Sequence, residues 1–261
     1  MSDNVKDTTE AVKGIVEAVP IYEDLLQPAV QELGKGIHTI SKTVHIALSP
    51  VSALIWGYDQ IKSYVQTSLE HKLKDVPKEN IIPPDPTVAG PALEALRYVG
   101  HKEELREMFS NLLASAMNSK VASTAHPSFV EIIKQMSPDE ARIIKHLGHN
   151  NYLPLINLHR TVPEGEGEAT IYRNFSLVGE QANCTFIELV PSYLDNLQRL
   201  GVINIPEGRH LTPDSKYSTL ENHPKLISMC SNIEKQNATP ILQKRYFFLT
   251  TFGIQFFNAC I

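Results

Sequence analysis

Apolar and polar positions in the C-terminal half of the chain predict a helix, a strand, a second helix and a pair of strands, in that order. Ser137-Pro138-Asp139-Glu140 reads as a helix start: Ser137 caps, Pro138 takes the first helical position and Glu140 completes a capping box. Ile143, Ile144 and Leu147 form the apolar stripe of that helix, and Gly148 supplies its exit. Leu153 to Leu158 predicts a strand, followed by the acidic loop Glu164-Gly165-Glu166-Gly167-Glu168. Phe186 to Leu200 predicts a helix, with Leu189, Tyr193, Leu194, Leu197 and Leu200 at helical spacing and Gly201 at its end. Val202 to Ile205 and Tyr246 to Thr250 predict two paired strands, and Phe252 to Ile261 a final apolar helix. This order predicts a winged-helix-like domain over residues 137–261.

The same reading divides the rest of the chain into three parts. Residues 1–76 form an N-terminal amphipathic and apolar helical region, in which Val5 to Val19 and Tyr22 to Leu33 predict short helices. Residues 77–91 hold Pro77, Pro83, Pro84, Pro86 and Pro91 and read as a linker that forbids a continuous helix. Residues 92–136 read as a helical module with helices over Ala92–Val99, Lys102–Met117 and Ser128–Met136, the last capped by Ser128 with Glu131 three residues on. The predicted fold class is mainly α with a small β component.

Within the N-terminal region, Thr43 to Tyr58 carries no acid, lysine or arginine. Its apolar positions Val44, Ile46, Leu48, Val51, Leu54, Ile55 and Trp56, with Tyr58, make it a candidate membrane or assembly segment. The run is shorter than the roughly 20 residues of a membrane-spanning helix, and Pro50 interrupts it. Lys35, Lys42 and Lys62 flank it as in an interfacial helix, although packing as a buried helix is the reading its length favours.

Charge narrows the function classes. A winged helix that reads DNA draws much of its affinity from lysines and arginines on phosphates. Here the predicted recognition helix carries Glu188, Asp195 and a single Arg199, so Glu188, Tyr193, Asp195 and Arg199 form a candidate partner-contact helix instead. The formal net charge of -5 offers no bulk attraction to nucleic acid or anionic lipid. Cys184, Cys230 and Cys260 stand far apart, as free thiols in a reducing compartment do, and the polar start Met1-Ser2-Asp3-Asn4 leads into no apolar signal core. The expected localisation is cytoplasmic, with peripheral contact at the inner membrane as the further reading.

No group of residues composes a reaction centre. His126-Pro127-Ser128 places an imidazole beside a hydroxyl, but side chains two apart in an extended turn diverge, and Ser128 reads as a helix cap. Gly148 breaks the helix between His146 and His149, and His38 and His45 read as packing. Glu164, Glu166 and Glu168 read as an exposed acidic loop. No phosphate-cradling glycine loop or nucleophile elbow is found, so no cofactor, metal or enzymatic activity is expected.

Three stretches together resemble the bacterial Abi-alpha family of abortive-infection proteins. They are Leu48-Ser49-Pro50-Val51-Ser52-Ala53-Leu54-Ile55-Trp56-Gly57-Tyr58-Asp59-Gln60-Ile61, Leu105 to Ala114, and His126 to Ala141, the most specific of the three. The resemblance spans about Val16 to Gly201. It implies a role in defence against bacteriophage and assigns no catalytic or binding residue. Two readings follow. In one, the protein acts by binding a protein partner or phage product, with self-association and membrane perturbation through residues 43–58 as further elements. In the other, the less favoured, the winged helix is a DNA-binding regulator or DNA sensor.

Overall fold

The computed structural model describes residues 55–148, 152–161 and 167–261. The predicted helices Val5–Val19 and Tyr22–Leu33, the segment positions Val44, Ile46, Leu48, Val51 and Leu54, His38, His45, His149, Glu164 and Glu166 lie outside the described residues. The chain divides into Met1–Tyr58 and one compact unit, Asp59–Ile261.

The described chain is mainly helical, with a small four-stranded antiparallel sheet. Helix α1, Tyr58–Lys72, is largely polar, with Asp59 in its first turn and Lys72 in its last, where each complements the helix dipole. Its Tyr64 ring lies 5.0 Å beneath the Arg106 guanidinium, and Lys72 pairs with Glu107. Helix α2, Pro86–Val99, opens with Asp85 accepting from the Thr87 amide at 2.8 Å. Helix α3, Glu103–Ala116, buries Leu105, Met108, Phe109, Leu112, Leu113 and Ala116 and is the spine of the helical layer. Helix α4, Ser128–Lys134, adds Phe129, Val130, Ile132 and Ile133 to that core.

The proline-rich stretch does not divide the unit. Ile82 donates to the Met117 carbonyl and Ser119 to that of Asn80, each at 2.9 Å, so the stretch is strapped to the exit of α3. Helix α2 also starts earlier than the proline pattern predicts and contains Pro91. The reason is position: Pro86 sits in the first turn, where its missing N–H costs nothing, and only Pro91 removes an internal bond.

Helix α5, Pro138–Leu147, carries the predicted capping box and ends at Gly148 with φ 54°. Strand β1, Leu153–Thr161, and strand β2, Glu168–Phe175, form a hairpin. Strand β2 escapes the sequence reading because only Asn174 and Phe175 are buried on it, and an exposed edge strand shows no clean alternation. Its register slips twice against β1, and such bulges blunt an edge against unwanted pairing.

Helix α6, Val178–Gln181, is one turn long. Helix α7, Val190–Arg199, starts four residues later than predicted, because Ile187–Leu189 forms a 3-10 turn and Pro191 lies in the first helical turn. Strand β3 is only Ile203–Asn204. The chain after β3 is folded, with a 3-10 turn at Asp214–Tyr217, helix α8, Ser218–Glu221, and helix α9, Pro224–Glu234. Tyr217, Leu220, Leu226 and Ile233 from this region pack on Ile156, Leu158 and Phe175 as a second apolar core.

Strand β4, Pro240–Leu249, is with β1 one of the two inner strands of the order β2-β1-β4-β3. It pairs with β1 from Leu153↔Phe247 to Arg160↔Pro240, then with β3 at Ile203↔Leu249. Helix α10, Thr251–Cys260, is capped by Thr250 and returns to α3, where Asn111 donates to the Cys260 carbonyl at 3.0 Å.

Candidate functional site

The chemistry of the second half gathers around one buried carboxylate. Asp139 stands in the first turn of α5, where an acid is favoured at a helix start, but it is only 3% exposed. Its Oδ1 accepts from the Thr185 amide at 2.8 Å and from Arg142 Nη1 at 2.9 Å. Its Oδ2 accepts from the Phe186 amide at 2.9 Å and the Tyr193 hydroxyl at 3.1 Å. Burial pushes this carboxyl up, and the two amides, the Tyr193 hydroxyl and the Arg142 charge together outweigh it, leaving the group below its ordinary value.

The neighbours respond in the opposite sense. Burial and the Asp139 charge push the Tyr193 hydroxyl up to about 12. Burial, then Asp139, push the Cys184 thiol up to about 11, so it stays a neutral thiol. Arg142 also donates to Glu104 at 2.8 Å and to the Thr185 hydroxyl at 2.8 Å, tying α3, α5 and the turn before α7 together. Glu140 serves both ends of a second link, accepting from Ser137 N–H and from Asn196 Nδ2, each at 2.6 Å.

The result is a turn clamped by its backbone with its side chains facing outward. Phe186 is 53% exposed and Ile187 and Leu189 are each 43% exposed, on three of four consecutive residues. Single exposed apolar side chains are ordinary on a folded protein; these three stand close in sequence on one clamped turn. Beside it, Tyr172, Ile187, Pro191 and His223 line a hollow of about 30 Å³, room for roughly one water.

The predicted contact helix is rearranged by these facts. Tyr193 faces inward and is 8% exposed, its hydroxyl donating to Asp139. Leu189, taken as part of the inward stripe, faces outward because the 3-10 turn shifts its phase. Glu188 is exposed. Asp195 accepts from Asn174 Nδ2 at 2.9 Å and stands 3.7 Å from the Arg173 guanidinium. Arg199 donates to Gln135 at 2.9 Å and Asn196 at 2.7 Å. Only Arg142, three residues on, is a local partner of Asp139; its other donors, Thr185, Phe186 and Tyr193, lie beyond the hairpin in the chain.

Elsewhere, His126 and Ser128 converge instead of diverging. Pro127 adopts a helical conformation, φ -55° and ψ -34°, which brings Ser128 Oγ to 2.7 Å from His126 Nδ1. The imidazole, not Ser128, meets the open helix end, accepting from the Ser128 amide at 3.1 Å. His223 does the same at α9, accepting from the Lys225 amide at 3.3 Å. Replacing His126 by Ala is expected to destabilise the fold by about 1 kcal/mol, the usual value of a cap, measured by urea denaturation. Ile55 and Trp56 are half-buried, and Tyr58 is 77% exposed at the start of α1. Among the described residues, no helix is long and apolar enough to cross a membrane, and no three His, Cys, Asp or Glu side chains gather as a metal site.

A mainly helical protein with a small antiparallel sheet and an outward apolar turn is thus defined. The family model described as abortive infection alpha matches residues 57–260, and the chain belongs to that family. The match reaches past Gly201, and it begins after Trp56. A solved structure, that of an uncharacterized protein from the hydrocarbon-degrading marine bacterium Alcanivorax borkumensis SK2, is similar at 15% identity. The likeness covers 50% of this chain and 90% of that one with a TM-score of 0.37, too slight to carry an argument. No curated protein matches.

Proposed function

We propose that this protein acts in abortive-infection-type defence against bacteriophage, by binding a protein partner or phage product through the turn Phe186–Leu189. The family supports the defence role. The observation that carries the mode of action is three exposed apolar side chains on a turn whose backbone is fixed by Asp139. The turn and helix α7 carry Glu188 and Asp195 against the single Arg199, which speaks against a phosphate backbone as the target. In this proposal the action is by binding and not by catalysis. The uncharged run Thr43–Tyr58 serves assembly with a second copy or acts on the inner membrane from the cytoplasmic side.

The experiment is phage challenge of bacteria expressing the chain, scored for plaques and host survival at low and high phage-to-cell ratios. Wild type is expected to protect the culture at low ratio, with host death at high ratio. The double variant Phe186→Ser with Leu189→Ser, verified as folded by circular dichroism, is expected to lose protection. Equal protection by that variant removes the turn from the mechanism. Loss of membrane potential on infection is expected to require Leu54 and Trp56, and an intact potential in dying cells excludes the membrane step.

A further inference from the structure

We propose that helix α1 is a restraining arm: a polar row on one of its faces, Tyr64, Ser68 and Lys72, latches it to Arg106, Glu107 and Ser110 of α3, and opening this latch frees the chain that precedes α1. What the freed chain then does rests on the reading of Thr43–Tyr58 given above. Residues four apart share a helix face, so the three side chains form one line. The Tyr64 hydroxyl donates to Glu107 Oε2 at 3.3 Å and stands 3.4 Å from the Arg106 carbonyl oxygen. One turn on, the Ser68 and Ser110 hydroxyls meet, and a turn further Lys72 pairs with Glu107 Oε1. Arg106 donates to the Gly100 carbonyl at 3.0 Å, which fixes its guanidinium against the Tyr64 ring.

The apolar seat beside this row is thin. Ile61 is the one buried residue of α1, and Val65 and Leu69 are half-buried. By contrast α2 buries Val88, Ala92, Ala95 and Leu96, and α10 buries Phe256 fully. The hold on α1 therefore depends on polar contacts, and its ion pair is open to solvent, the Glu107 side chain being 52% exposed. Such a pair is weak and screened by salt, and an element with few buried apolar groups opens before the rest of a fold. Beyond Lys72 the chain is fixed again by buried Leu73 and by the straps from Ile82 and Ser119, so α1 swings from that end. The uncharged run ends where α1 begins, and a released α1 of 15 residues, still helical, gives that run about 22 Å of added reach.

Hydrogen exchange of the full chain, read by mass spectrometry at low and high salt, tests the latch. Peptides of α1 are expected to exchange several-fold faster at high salt while those of α3 and α10 hold still. Glu107→Lys is expected to speed α1 roughly tenfold at low salt, and adding Lys72→Glu to restore the slow rate, with α3 and α10 reporting that the remaining fold is intact. Exchange of α1 as slow as that of α3 in every case overturns the proposal. So does a double variant as fast as Glu107→Lys, since the charge pair is then not the latch.

Growth without phage reads the consequence. Glu107→Lys is expected to arrest the host, the Lys72→Glu, Glu107→Lys pair to grow and protect as wild type does, and Leu54→Ser with Trp56→Ser to relieve the arrest. Normal growth and protection by Glu107→Lys, with α1 opened, overturns the restraint. If Glu107→Lys arrests growth, the swap restores it and the Leu54, Trp56 variant gives no relief, the restraint stands and the reading of Thr43–Tyr58 falls.

Discussion

Gly253→Ala is expected to lower the melting temperature by about 6–12 °C. A Cβ at position 253 falls 1.9 Å from the Val202 carbonyl oxygen and 2.9 Å from its carbon, and both are backbone atoms that no rotamer change can move. The approach is this close because Thr250 caps α10, accepting from Gly253 N–H at 2.8 Å, while its own amide donates to that same Val202 carbonyl at 3.0 Å. Relief requires α10 to back away from β3. That movement breaks the seat of Phe256, which is fully buried, and the Asn111 contact to the end of α10. Overpacking commonly costs about 1–3 kcal/mol and a backbone clash lies at the top of that range. At about 2–4 °C per kcal/mol for a domain of this size, the drop follows. Thermal circular dichroism measures it, and a wild-type melt refutes the close packing of α10 on β3.

Asp139→Asn is expected to cost about 3 kcal/mol and to flatten the acid limb of the stability profile. The carboxylate answers donors on both oxygens, so an amide must turn its NH₂ against either Thr185 N–H and Arg142 or Phe186 N–H and the Tyr193 hydroxyl. Leaving buried donors unanswered and Arg142 half-paired accounts for the loss. Asp139 lies below its ordinary 3.8 in the fold, so its stabilisation is complete above that value and is lost as pH falls through the lower folded value. Tyr193 is raised from 10.0 to about 12 and Cys184 from 9.0 to about 11, and both are neutral in the fold. Their contribution is complete below the unfolded values and is lost as pH rises through the folded ones. Urea midpoints for the wild type are therefore expected to fall below about pH 4 and above about pH 10, with Asp139→Asn reducing the first decline, which Glu107 shares, and Tyr193→Phe softening the second. An unchanged acid limb in Asp139→Asn places the acid-sensitive group elsewhere.

Features written in neighbouring residues were legible in the sequence. The capping box of Ser137 and Glu140 joins residues three apart, and Gly148 marks the exit, so α5 could be placed to the residue. Strand β1 was legible because its run from Leu155 to Leu158 is buried. Features set by distant partners were not. Tyr217 and Leu226 become core only when α8 and α9 fold onto Ile156 and Phe175, and no periodicity over so few residues predicts that. Leu189 fits a helical stripe by spacing, and only the 3-10 turn and Pro191 show that the helix begins after it. The candidate site was half legible: Glu188 and the scarcity of basic residues on the helix were readable, whereas Asp139 depends on Thr185, Phe186 and Tyr193, brought to it by the β1–β2 hairpin.

The inner place of β4 sets a timetable. Every partner of β1 on that side lies at least 80 residues further along the chain, from Arg160 with Pro240 to Leu153 with Phe247. At about 5–20 residues per second of synthesis, β1 stands with one raw edge for roughly 4–16 s before its neighbour exists. In that interval Leu155, Ile156 and Leu158 depend on β2 and the nascent helices for cover, and closing the sheet across so long a loop slows folding. The newborn chain is thus most vulnerable to aggregation and proteolysis between the synthesis of β1 and that of β4.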